Sequence, residues 1–280
     1  MKRVLVPIDF SEASLKALEF GVEMANRLKA NLRIMHVVTG KNYAPFFDPT
    51  HNAELRIDGM AEHWMEKLTH DFTPKYTVHG GNFDYKVREG NVTREICNQA
   101  KYDDSSIIIV GSHGISGFED KWIGSNAYRL VSNAPCPVML VRKQTVWKEF
   151  QRIVIPLTVK KDSRLKVPIV TGVAKLFGAK VFIAGLKQSS FKYLLVGIRV
   201  AIRQVQNFIE TKAGLETEST ILSGKDKPKI LLDYAQSVNA DLIAINIHND
   251  NNPLAEIIRP FANDVINYSE IPVLVVPTRE

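Results

Sequence analysis

The sequence predicts an α/β protein built from two tandem, open, twisted five-stranded parallel sheets with helices on both faces. Three observations predict it. Short apolar runs rich in Val, Ile and Leu recur along the 280 residues, and continuous runs of this length fit strands buried on both faces. Helical patterns separate those runs, and strand–helix alternation implies a parallel sheet covered by helices. The second half of the chain repeats the order of the first.

In chain order, Val4–Val6 is the first strand. Leu15, Leu18, Val22, Ala25 and Leu28 then recur every three or four residues, the spacing of a helix face. Asp9 or Ser11 is placed to cap that helix. Leu32–Val38 is the second strand, followed by a Pro-containing loop with Tyr43, Phe46 and Phe47, either a lid or ordinary packing. His51, His63 and His70 follow, at spacings that do not put three ligands on one helix face. His79-Gly-Gly-Asn82 reads as an exposed turn after a third strand, and Gly90 as the residue before a helix. Ile107–Val110 and Val138–Val141 complete the strands of the first half. The second half brings Ile153–Ile155, Val181–Ile183, Leu242–Ile245 and Val273–Val276, with an amphipathic, basic-flanked helix over Ser189–Phe208. That helix reads as core packing, with a membrane surface or a partner as the alternative.

The halves superpose as text. Arg3-Val-Leu-Val-Pro7 falls on Arg152-Ile-Val-Ile-Pro156 at an offset of 149, and Pro137-Val-Met-Leu-Val141 on Pro272-Val-Leu-Val-Val276 at an offset of 135. The second copy is therefore 14 residues shorter between its second and fourth strands. The predicted domains are residues 1–143 and 151–280, joined by a polar linker holding Trp147 and Phe150. A linker this short predicts a pseudo-two-fold pair.

The segment richest in chemistry runs from Ile107 through Gly111-Ser-His113-Gly114-Ile-Ser-Gly117 to Gly124-Ser125-Asn126. A buried strand ends at Gly111, a glycine-bearing loop follows, and a helix begins near Gly124. Glycines let backbone N–H groups approach a phosphate, and a helix start adds unpaired N–H groups and a positive dipole end. The spacing Gly-x2-Gly-x9-Gly-Ser resembles the ATP-binding signature of the universal stress protein family. Val4–Ser11, Met35–Val38, Gly90 and Ala134–Val138 resemble further family landmarks, in the family's order. The resemblance implies a Rossmann-like adenine-nucleotide-binding fold. It places Pro7, Ile8 and Asp9 beside the nucleoside and Val37 at the adenine. It places Gly111, His113, Gly114, Gly124, Ser125 and Asn126 around the ribose and phosphates. ATP is the implied ligand, accompanied by Mg²⁺.

The second half departs from this pattern. Gly111, Gly114, Gly117, Gly124 and Ser125 become Asn246, Asn249, Asn252, Arg259 and Pro260, and Asp9 becomes Thr158. Side chains replace bare backbone, and proline has no N–H to donate. One nucleotide site per chain is expected.

Composition narrows the classes. Hydrophobic residues are 45% and charged residues 24%, which excludes a disordered chain. The formal charge of +6 suits phosphate-bearing partners, but no recognition motif points to nucleic acid. Two cysteines make no disulfide framework. No run approaches the roughly 18 apolar residues of a membrane span, and the opening apolar run is too short for a signal peptide; a cytoplasmic location is expected. The lysine of a Walker-type loop is missing, since Ser125 directly follows Gly124, so slow or no ATP turnover is expected. No catalytic residues are assigned. An ATPase or adenylating enzyme on the same scaffold and a nucleotide-independent interaction protein are the alternatives, and a homodimer stays open.

Overall fold

The computed structural model describes residues 2–39, 57–112, 124–187, 192–248 and 260–278. The chain divides into two compact units, Met1–Trp147 and Lys148–Glu280.

The first unit runs β1 (Arg3–Pro7), α1 (Glu12–Leu28), β2 (Asn31–Val38), α2 (Ile57–Phe72), β3 (Phe83–Glu89), α3 (Val92–Tyr102), β4 (Ile107–Gly111), α4 (Ser125–Asn133) and β5 (Val138–Val141). Its strands lie in the order β3-β2-β1-β4-β5, and every pair is parallel. β1 and β4 are buried because both have strands at their sides and helices over their faces; Leu5, Ile108 and Ile109 are fully enclosed. β3 is an edge strand, half-buried along its length. For that reason it lacks the continuous apolar run of the inner strands. His79–Asn82 is a turn, with Gly80 at φ 71°, but it precedes this third strand instead of following it. At the opposite end of the sheet from the site below, Arg33 on β2 is paired with both Asp84 and Asp103, and these pairs raise its pKa against the opposing cost of burial.

The second unit repeats the plan with β6 (Arg152–Leu157), a 3-10 turn at Lys161–Arg164, α5 (Val167–Phe177), β7 (Lys180–Leu186), α6 (Lys192–Ala213), β8 (Thr217–Leu222), α7 (Lys227–Ser237), β9 (Leu242–His248), α8 (Pro260–Tyr268) and β10 (Val273–Thr278). Its strand order is β8-β7-β6-β9-β10, again parallel throughout. The sequence offsets hold residue by residue. α4 starts at Ser125 and α8 at Pro260, 135 apart; α1 ends on Lys29 and α5 on Gly178, 149 apart and both left-handed. The helix expected over Ser189–Phe208 is α6, which runs on to Ala213.

Both cysteines are free and buried. His63 and His70 lie exposed on α2, and no group of three metal-ligating side chains occurs among the described residues. Tyr43, Phe46, Phe47 and His51 lie outside them. No described helix is long and apolar enough to cross a membrane.

Candidate nucleotide site

In an open parallel sheet, ligands bind outside the carboxyl ends of the strands, where the strand order reverses. In the first unit that point lies between β1 and β4; of the residues singled out from the sequence, the described ones lie at the ends of β1, β2 and β4 and at the start of α4.

Pro7 and Ile8 close β1 and are buried; Asp9 and Phe10 emerge half-exposed. Ser11, and not Asp9, caps α1: its hydroxyl accepts from the Ser14 N–H at 3.2 Å. Asp9 acts one step earlier. Its Oδ1 accepts from the Ser11 N–H at 3.0 Å and the Ser11 hydroxyl at 2.6 Å. Asp9 thus braces the cap, and its Oδ2 has no partner among the described residues. Ser14 locks the turn from below, accepting from the Asp9 N–H and donating to the Ser11 carbonyl.

Phe10 adopts φ 64°, a conformation costly for a residue with a bulky side chain. The strain turns its ring onto His36 on β2, with centroids 4.9 Å apart. His36 Nδ1 lies 2.7 Å from the Ile8 carbonyl. A carbonyl only accepts, so Nδ1 carries the proton and Nε2 is left as an acceptor. Burial lowers the His36 pKa, against smaller opposing effects of the Ile8 hydrogen bond and Asp9. The ring is neutral at pH 7. Neither Phe10 nor His36 was singled out from the sequence as a site residue; the signal was their one-residue distance from Asp9 and Val37. Val37 follows on β2, nearly buried, and the Gly90 N–H donates to the neighbouring Val38 carbonyl at 3.0 Å. Gly90 sits at φ 139°, which favours glycine.

Gly111 ends β4. A Cβ placed on it would lie 2.7–2.8 Å from Ala13 in the first turn of α1. Glycine is needed here so that α1 can lie against β4, which adds a packing role to the position. Beyond it, His113 and Gly114 lie outside the described residues. The N–H of Gly124 donates to the Ser112 carbonyl at 2.9 Å and so holds the start of α4 at the end of β4. Gly124 is the N-cap of α4 and supplies no side chain to it. Ser125 and Asn126, in the first turn, are exposed. No side chain caps the opening N–H groups of α4, the condition under which a helix start can receive an anion.

The second unit keeps the turn and changes the contact between its first helix and fourth strand. Ser163 accepts from the Thr158 N–H at 3.1 Å and donates to the Lys160 carbonyl at 2.8 Å, repeating Ser14 with Asp9 and Ser11. Thr158 stands in for Asp9, so no carboxylate is present there. Asn246 occupies the Gly111 position. Its Nδ2 donates to the Asp162 carbonyl at 3.3 Å, where Gly111 meets Ala13 in the first unit. Its Oδ1 accepts from Lys166 Nζ at 3.1 Å, and the same amine donates to the Ser163 carbonyl at 2.6 Å. Lys166 takes the place of Ala17 and is only 1% exposed. With no carboxylate paired to it among the described residues, burial pushes its pKa down to about 7. α8 opens on Pro260, which has no N–H.

The family model of the universal stress proteins matches residues 1–142 and 185–277. A universal stress protein of Bacillus subtilis is 33% identical over 152 residues, covering 50% of this chain and 98% of that protein. One of Methanocaldococcus jannaschii is 28% identical over 144 residues, covering 51% and 82%. Among solved structures, a universal stress protein of Archaeoglobus fulgidus superposes with a TM-score of 0.78 at 21% identity, over 98% of each chain. That likeness shows a shared fold.

Proposed function

The chain belongs to the universal stress protein family, and from that premise we propose that its first unit binds one adenine nucleotide, ATP, and that its second unit binds none. The observation that carries the reading is the uncapped start of α4, held at the end of β4 by the Gly124–Ser112 hydrogen bond. Its N–H groups supply the anion contacts. Pro7, Ile8, Asp9 and Val37 border the nucleoside side. The family's glycine spacing assigns His113 and Gly114 to the same site. Phe10 and His36 add an aromatic wall with a neutral acceptor, Nε2. Mg²⁺ accompanying the nucleotide would be held mainly by phosphate oxygens, with Asp9 Oδ2 as the spare carboxylate oxygen of the rim.

The chain then acts as a nucleotide-dependent regulator in the cytoplasm, with slow or no hydrolysis. No lysine follows Gly124 to neutralise charge on a transferring phosphoryl group. In the second unit Thr158, Asn246 and Pro260 replace Asp9, Gly111 and Ser125, so the carboxylate, the glycine and the first N–H of the helix start are all absent from those positions.

Titration of the full chain with ATP tests this. The control variant is Ser125→Pro, which copies the residue that opens α8. Proline is well tolerated at the first helical position, so far-UV circular dichroism should not change. Losing one hydrogen bond to a charged phosphate corresponds to about tenfold or more in affinity. Wild-type affinity in that variant would remove the start of α4 from the site.

A further inference from the structure

The excess positive charge of this protein is concentrated in one stretch. Residues 160–209 contain ten Lys/Arg and a single acid, Asp162, a formal net of +9 against +6 for the whole chain. The other 230 residues therefore net −3.

The stretch folds into the 3-10 turn, α5, β7 and most of α6. The two helices pack on one another. Two further links place the turn along α6. Arg164 donates to the Gln204 side chain, and a Cβ on Gly197 would touch Val159 at 3.4 Å.

α6 buries Ile198, Ala201, Ile202, Val205 and Ile209 over its sheet. Its opposite face is a stripe of exposed positions at helical spacing: Val196, Arg199, Val200, Arg203, Gln204, Asn207 and Phe208. Aliphatic and cationic side chains alternate along it. Across the helix pair, Leu165 and Ile169 are 51% and 38% exposed, and Val196 and Val200 are 59% and 50% exposed. In the first unit the counterpart of Ile169 is Phe20, which is buried beneath Trp147 at 4.9 Å. No carboxylate pairs with Lys160, Lys161, Arg199 or Arg203 among the described residues.

We propose that the α5–α6 face of the second unit is a docking surface for an anionic lipid bilayer. Charge complementarity selects the occupant. An amphipathic helical face with interleaved Lys/Arg lies in the interfacial plane, its aliphatics among the acyl chains and its cations on the headgroups. A nucleic-acid partner would use the cations and leave the valines, Leu165 and Ile169 without a role. A protein interface draws its central contacts from Trp and Tyr, and the exposed centre here is Val, Leu and Ile. The face uses no residue of the nucleotide site, so the chain can bring that site to a membrane.

The test is co-sedimentation of the full chain with vesicles of phosphatidylcholine alone or with about one third phosphatidylglycerol, at low and high salt. Binding is expected on the anionic vesicles only, weakened by salt. Each cation at such a surface is worth about fivefold in partitioning, so Arg199→Gln with Arg203→Gln should cost about 25-fold. Val196→Ser with Val200→Ser should also weaken binding by tenfold or more while keeping the charge. All four positions are exposed, and circular dichroism checks that the fold is kept. Equal pelleting with neutral and anionic vesicles would overturn the proposal, as would variants that bind like wild type. Binding to soluble polyglutamate without binding to vesicles would overturn it in favour of an acidic protein partner.

Discussion

Replacing Lys166 with methionine should flatten the pH dependence of the second unit's stability. The amine is enclosed, donates to two neutral oxygens and pairs with no carboxylate among the described residues. Its pKa falls from the ordinary 10.5 to about 7 in the folded chain. Between those values the unfolded chain holds a proton that the folded chain has released. The unfolded state then binds more protons, so stability rises with pH across the window. Below about pH 7 both states are protonated and the cost of the buried charge is at its full value. The gap of about 3.5 pH units corresponds to about 5 kcal/mol over the window, with a slope near 1.4 kcal/mol per pH unit inside it. Urea unfolding at pH 7.5 and 9.5 should therefore differ by about 2–3 kcal/mol more in the wild type than in Lys166→Met. All three tryptophans, Trp64, Trp122 and Trp147, lie in the first unit. Their fluorescence follows that unit as an internal control, while far-UV circular dichroism follows both. Cysteines and tyrosines that titrate at alkaline pH are common to both proteins and cancel in the difference. Identical pH dependence in the two proteins would refute the reasoning.

Gly111→Ala should destabilise the first unit by about 1–3 kcal/mol in urea melts, because its Cβ meets Ala13 and α1 must move. Asp9 and Ser11 lie at the start of α1, so ATP affinity should fall with it. Arg33→Met leaves Asp84 and Asp103 with Arg3 as their shared cation, at 3.7 Å from each, and removes the shorter hydrogen bonds; a loss of about 2 kcal/mol is expected in the same assay. Cys136, whose thiol burial pushes up to about 12, and Cys97, raised by the same cause, should resist a thiol reagent in the native chain. Two thiols per chain should react once it is unfolded in denaturant.

The inner strands were legible because burial on both faces leaves no polar residue to break the run, as in Ile107–Val110 and Leu242–Ile245. The edge strands β3 and β8 were not, since Phe83–Glu89 and Thr217–Leu222 carry polar residues toward solvent. Without β3 as a marker, the turn at His79–Asn82 was placed on the wrong side of it. Internal repetition showed where the second copy had changed, but not how. That Asn246 and Lys166 meet depends on a contact across 80 residues, which no local pattern encodes. Gly111 reads as a phosphate-approach residue from spacing alone; only the position of Ala13 reveals the packing demand. The Phe10–His36 wall stayed hidden because a phenylalanine at positive φ runs against its own local preference.

The central claim is an asymmetry: an uncapped start of α4 after Gly111 in one unit, and in the other a helix that opens on Pro260 after Asn246. Native mass spectrometry of the full chain with ATP measures it most directly. One nucleotide per chain is expected at saturation, with the ATP needed for half-occupancy raised about tenfold or more in Ser125→Pro and unchanged in Lys166→Met. Two equivalent nucleotides per wild-type chain, or a single one retained by Ser125→Pro at full affinity, would contradict it.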